Sequence, residues 1–302
     1  MDAEDVLPVL LAAFAVTPQF SQHWFDGNAE VAGYALEQSR YGQRRSGTVV
    51  LVFVTEPFSE SDRVKADDGR HPDSDVFQVL KLNAVKDYQT GIYDYNLMTS
   101  VFMGLEGHGG RGPGRPAKIT FSAQEWCGNT FEELLFAPER ITRRGFSYFD
   151  GEGDQTEELA LPANGITAAQ LPILVRGIPE PLEPGVSIQR PLLRDFEIAV
   201  LEHRGHAVEM ATIERSKERQ SVQTPAGRFE VHEVVVRSPS GSWVYQVEEA
   251  FPHRIIRWRG PRDAGELQGV ARLPYWQLNG EGGEAALRRI GLPFSRNDAV
   301  RN

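Results

Sequence analysis

The sequence predicts a mainly β protein: an antiparallel meander forming a curved sheet, half-barrel or sandwich, with one or two short helices. Two observations carry this prediction. Short runs rich in Val, Ile, Phe, Tyr and Thr recur along the chain, punctuated by turn residues such as Asp26-Gly27, Arg204-Gly205 and Ser238-Pro-Ser-Gly241. Nowhere does a strand-like run alternate regularly with a helix-like one, as a parallel α/β sheet requires. With 302 residues the chain can bury a sizeable core.

Taken in order, residues 1–20 read as an N-terminal helix or a degenerate signal. Val6–Val16 has the length of a signal-peptide apolar region, but its flank is acidic (Met1-Asp-Ala-Glu-Asp5), so a short packed helix is the favoured reading. One large β domain follows over 21–275, in two halves, 21–163 and 190–275, joined by a helix-linker segment at 164–189; residues 276–302 form a tail. In the first half a strand is expected after Gly27 through about Gln38, then a polar turn from Arg40 to Gly47. Thr48–Thr55 is apolar on both faces and is expected to be a central strand. An acidic loop (Ser59–Asp75), a strand (Val76–Asn83), a turn-and-strand (Asp87–Gly104) and a Gly/Pro/Arg surface loop (Gly107–Pro116) come next.

Ile119–Thr130 is the sharpest local feature. Ile119, Phe121 and Ala123 alternate with Thr120, Ser122 and Gln124, and continuing the period places Glu125 and Cys127 on the apolar face, with Gly128 allowing a bend. A carboxylate there must find a partner or stay protonated. Ile166–Arg176 changes to a helical period, with Asn164 as N-cap, Pro172 as a break and Gly177 as the stop. The second half carries strand-like runs at Asp195–Glu202, Ala207–Arg215, Arg228–Arg237, Trp243–Glu249 and Arg254–Arg259, and the tail one weak helix at Glu284–Ile290.

The formal charge, 32 − 42 = −10, argues against a general nucleic-acid binder. A single cysteine excludes an intramolecular disulfide framework. Cys127 with Glu125 could serve a hydrolase or transferase, but no His lies nearby in sequence to act as base, and a buried, inert thiol beside Trp126 is the favoured reading. His203, His206, His232 and His253 do not show the convergent spacing of a zinc site, and the acidic loops 66–75 and 150–154 do not match a calcium loop, so neither metal nor cofactor is expected. The aromatic inventory is more suggestive. Trp243 and Tyr245 alternate with Ser242, Val244 and Gln246, and Tyr93 and Tyr95 lie on another strand, so a concave sheet face could hold an apolar ligand. The candidate ligand-binding residues are therefore Glu125, Trp126, Cys127, Tyr93, Tyr95, Trp243 and Tyr245, and the expected role is non-catalytic binding of an apolar molecule or a protein partner. No stretch is expected to span a membrane as a helix.

Two blocks carry a family resemblance. Trp24–Val31 (Trp-Phe-Asp-Gly-Asn-Ala-Glu-Val), Arg40–Gly42, Val52–Glu56, Thr90–Tyr93 and Gln124–Gly128 resemble an uncharacterised family of bacterial exported proteins and lipoproteins, some bearing a septum-formation label. Val222–Phe229 with Ala250–Trp258 is similar to the closing strands of bacterial envelope proteins of the DUF3108 type. The resemblance implies a β-rich protein of the cell envelope or periplasm, with a curved sheet or half-barrel and no established active-site residues. The acidic N-terminal flank leaves a cytoplasmic location open.

Overall fold

The apolar runs pair into one large, curved, open sheet of fifteen strands in a computed structural model that describes residues 17–293. Chain order gives β1 (Ala29–Arg40), β2 (Gln43–Ser59), β3 (Val76–Thr90), β4 (Tyr93–Gly104), β5 (Pro116–Glu125), β6 (Gly128–Phe136), β7 (Arg140–Ser147), β8 (Asp154–Ala160), β9 (Ile166–Thr167), β10 (Ser187–Leu193), β11 (Val208–Thr224), β12 (Gly227–Ser238), β13 (Gly241–Glu248), β14 (Ile255–Arg259) and β15 (Asp263–Leu273). In space the order is β8 to β1 and then β15 back to β9, all antiparallel except the β9–β10 pair. The two meanders thus meet where β1 pairs with β15. The apolar segment Val6–Val16, expected as a helix or a degenerate signal, lies outside the described residues. The first described element is helix α1 (Pro18–Trp24), whose Thr17 hydroxyl caps the Phe20 N–H at 3.1 Å while Phe20 and Trp24 are buried.

Long β-propensity runs with short turns account for the meander. Tyr41 and Gly42, both at positive φ, close the β1–β2 hairpin, so the expected polar turn at 40–47 shrinks to two residues and β2 starts at Gln43. β2 lies between β1 and β3, as its two apolar faces require. Val49, Leu51 and Phe53 enter the main core, and Val52 and Val54 join a second cluster with Leu273 and Ile290.

The main core lies between one face of the sheet and the chain's own connecting segments. Ala168, Leu171, Ile173, Phe196 and Ala199–Leu201 pack there against residues from both meanders. These segments depart from the sequence expectation in three ways. Thr167, not Asn164, caps the helical stretch, exchanging hydrogen bonds with Gln170 in a capping box. Pro172 falls in the first turn of α2 (Leu171–Leu174), where its missing N–H costs nothing, so it starts the helix rather than breaking it. Glu197–Leu201 is a π-helical turn, not a strand, and the sheet is instead joined by β10, which straddles the expected end of the linker at residue 189. The loop at 107–116 is also no loose surface loop: Arg111 and Arg115 are buried, Arg111 paired with Glu60 and Arg115 donating to the carbonyls of Ala137, Leu161 and Pro162. No helix among the described residues is long and apolar enough to cross a membrane.

Candidate functional site

Burial alternates along β3, where Leu80 and Leu82 are buried and Ala84 packs against the same core. Two residues on, the period delivers Lys86 to the same side. An ammonium cannot stay there unpaired, and three side chains meet it. Glu197 from the π turn pairs with it, Asp263 at the start of β15 lies 2.8 Å away, and the Gln38 carbonyl accepts a hydrogen bond at 3.2 Å. Gln38 also donates to Glu197 at 2.9 Å. Burial alone would lower the Lys86 pKa, but the Asp263 and Glu197 carboxylates outweigh it and hold the ammonium above its ordinary range. Asp195 lies beside the pair, its Oδ1 accepting the Glu197 N–H at 2.8 Å. Burial, reinforced by the Glu197 charge, pushes its carboxyl up to about 7. Three carboxyl groups thus surround one ammonium, while the neighbouring Arg262 is engaged by Glu202.

Lys86, Asp195, Glu197 and Asp263 form the polar end of a partly open cavity of about 120 Å³ between the sheet and the inner segments. Apart from Thr99 and Arg262, its remaining wall is apolar, from Leu51, Leu97, Phe121, Trp243, Tyr245 and Trp258 among others. Trp258 can lie there because its cross-strand partner is Gly265; a methyl group at that position would collide with the indole. Tyr34 packs edge-on against the same ring at 4.9 Å and fixes its orientation, donating its hydroxyl to the Ile255 carbonyl at 2.9 Å.

Of the seven candidate residues, Trp243 and Tyr245 line this cavity. The other five candidates do not join them. Trp126 and Cys127 form the two-residue turn of the β5–β6 hairpin, since Glu125 pairs with Gly128. The strand period ends before them, so the expected buried Glu-Trp-Cys corner does not exist: Trp126 is 68% exposed, Cys127 is exposed and Glu125 half-buried. Glu125 accepts the Cys127 N–H at 2.8 Å and meets no buried Arg. Gly128 opens β6 because the Tyr148 ring lies across it, not to bend the chain. Tyr93 approaches Trp126 at 6.2 Å, and buried Tyr95 stacks on Tyr88 with its hydroxyl 2.7 Å from that of Tyr41. The space bordered by Tyr95 and Glu125 is about 10 Å³, hardly room for one water. A nucleophilic role for Cys127 finds no base there, and its hydrogen bond to Glu125 raises the thiol pKa.

The four histidines go to separate partners: His203 to Glu152, His206 to Glu132, His232 to Glu249 and His253 to the Glu248 carbonyl. Of the cavity's polar end, only Lys86 left a readable signal, a lysine in phase with Leu80, Leu82 and Ala84. Asp195 and Glu197 gave none, because a strand reading places both on its polar face, opposite Phe196, Ile198 and Val200. Comparison of the chain with family models, with curated proteins and with solved structures gives no match.

Proposed function

We propose that this is a non-catalytic binding protein, acting in the bacterial cell envelope as the sequence resemblance implies. It holds a small apolar molecule with a hydrogen-bond-donating end in the cavity between the sheet and the inner segments. The observation that carries the reading is the cavity's two-part wall: aromatic and aliphatic over most of its surface, with a surplus of carboxyl groups at one end. Small-molecule sites commonly combine an apolar lining with a few convergent polar groups. A volume of about 120 Å³ falls below the roughly 150 Å³ that admits benzene, so a four-carbon chain is a suitable probe.

Thermal unfolding with n-butylamine, n-butanol and butyrate tests this. Ligands that bind only the folded state raise the midpoint with concentration. The amine and the alcohol are expected to stabilise the protein, and butyrate to fail, because its carboxylate would enter a site already rich in acceptors. The shift should vanish in Ala84→Leu, which fills the cavity from β3. Stabilisation by none of the three, or equal stabilisation of the Ala84→Leu variant, contradicts the proposal.

A protein partner is the second reading. Trp126 and Tyr148 favour it, both large and mostly exposed, Trp126 in the β5–β6 turn and Tyr148 beside it at the end of β7.

A further inference from the structure

A second recess, sharing no lining residue with the cavity, opens between β6–β8 and the segment that follows the π turn. Its volume is about 270 Å³, and its wall includes Glu132, Arg143, Glu152, Glu157, Phe146 and His206. Glu132 is on the buried side of β6, in phase with Leu134 and Phe136, and its side chain is 1% exposed. One carboxylate oxygen accepts Arg143 Nε–H at 2.8 Å, and the other lies 2.6 Å from His206 Nε2. Burial alone would raise the Glu132 pKa, but the hydrogen bonds from His206 and Arg143 outweigh it and hold the carboxyl below its ordinary range. An ionised carboxylate only accepts, so Nε2 carries a proton, and in the neutral form of the imidazole that leaves Nδ1 as an acceptor. That atom is buried on a side chain 2% exposed, and no group among the described residues satisfies it.

The rest of the wall indicates what would satisfy it. Arg143, the wall's one guanidinium, is engaged by Glu132, Gln155 and Glu157. Glu132, Glu152 and Glu157 bring three carboxylates, so acceptors and negative charge exceed donors and positive charge. Phe146 adds an aromatic surface, to which a cation is attracted. A metal ion is a poor fit, because no three His, Cys, Asp or Glu side chains among the described residues are grouped to hold one.

We propose that this recess binds a small organic cation of the guanidinium or primary-ammonium class, donating an N–H to His206 Nδ1 and held electrostatically by Glu152 and Glu157. The test is an NMR titration that follows the ¹⁵N resonances of the His206 ring. Methylguanidinium and ethylammonium are compared with urea, which has the shape and donors of guanidinium without its charge. Both cations are expected to move the Nδ1 resonance saturably, with urea binding at least about tenfold more weakly. Glu152→Gln, at the recess's more open side, should weaken methylguanidinium binding several-fold while the folded spectrum is kept. His206→Phe, which keeps a ring of similar size, should abolish it; if that variant does not fold, Glu152→Gln alone decides. Absence of a saturable shift with either cation overturns the proposal. So does binding of urea as tight as that of methylguanidinium, or unchanged affinity in folded Glu152→Gln.

Discussion

Glu30 satisfies the requirement that any carboxylate inside a sheet faces. Arg176, from the inner segment after α2, meets it with both terminal nitrogens, at 2.7 and 3.2 Å, and both side chains are almost wholly buried. The guanidinium also lies over Phe53 at 4.5 Å and Trp24 at 5.0 Å, and donates to the Pro252 carbonyl. Burial alone would raise the Glu30 pKa, but the Arg176 charge and the hydrogen bonds from His23 and Arg176 bring it down to about 2. A depressed carboxylate pKa stabilises the fold above the unfolded value of 4.5, and that contribution disappears as pH falls towards 2. The full effect is about 3 kcal/mol. Urea unfolding should therefore show stability falling between about pH 5 and 2, with a shallower fall in Glu30→Gln. At pH 7, Arg176→Met should cost roughly 3–5 kcal/mol, because it leaves the carboxylate buried and unpaired. A cost below 1 kcal/mol would show that the pair is not buried in solution. Cys127 sits at the opposite extreme, open to solvent but restrained chemically by Glu125. Its alkylation by iodoacetamide at pH 8 should be slower than that of cysteine in an unstructured peptide and faster in Glu125→Gln. A rate above the peptide's would contradict the raised thiol pKa.

At the scale of elements, β15 and the 3-10 helix Gly283–Ile290 depend on one another. Gly33 of β1 and Gly269 of β15 are cross-strand partners, and a methyl group at either would run into the backbone of Ile290. The pair leaves a slot on the sheet into which Ile290 fits, packed near Val52, Val54 and Leu273. Gly269→Val should displace this helix, and amide exchange over 283–292 should quicken while the inner core stays protected; unchanged exchange would mean that the helix does not rest on the slot. The same glycines explain why β15 was not legible in the sequence. With Gly265 and Gly269 where β-prone residues would normally stand, the run has no strand signature. Their reasons, the Trp258 indole and the Ile290 backbone, are distant in sequence. β3, β4, β12 and β13 were legible because propensity and alternation agree there, and β2 because its run is β-prone and apolar on both faces. Asp195–Glu202 was misread because Phe196, Ile198 and Val200 alternate like a strand, whereas on the inner side both faces of a π turn can be apolar. The β5–β6 turn was missed because Trp126 and Cys127 close it without Gly, Asn or Pro.

At the scale of the molecule, the sheet curves around its own connection. The chain leaves the β8 edge, runs beneath the sheet and rejoins it at the opposite edge through β9 and β10. The expectation of a curved β sheet was legible; that its concave side is largely filled by residues 166–206 was not, since filling depends on where a linker is placed in space. Polar ties hold the inner segments in position. Arg176 reaches Glu30, Glu197 reaches Lys86, the Leu201 carbonyl accepts from Arg40, and His206 reaches Glu132. The second tie also bounds what remains open, since Glu197 and Lys86 supply part of the cavity's polar end.

The central claim is that this residual cavity admits a small apolar molecule, and xenon tests it with no polar contribution. ¹H–¹⁵N spectra recorded under increasing xenon pressure report each of the five tryptophan indoles. Saturable shifts confined to Trp243 and Trp258, and absent in Ala84→Leu, are the expected result. Indoles that do not move, or five that drift together without saturating, would contradict it.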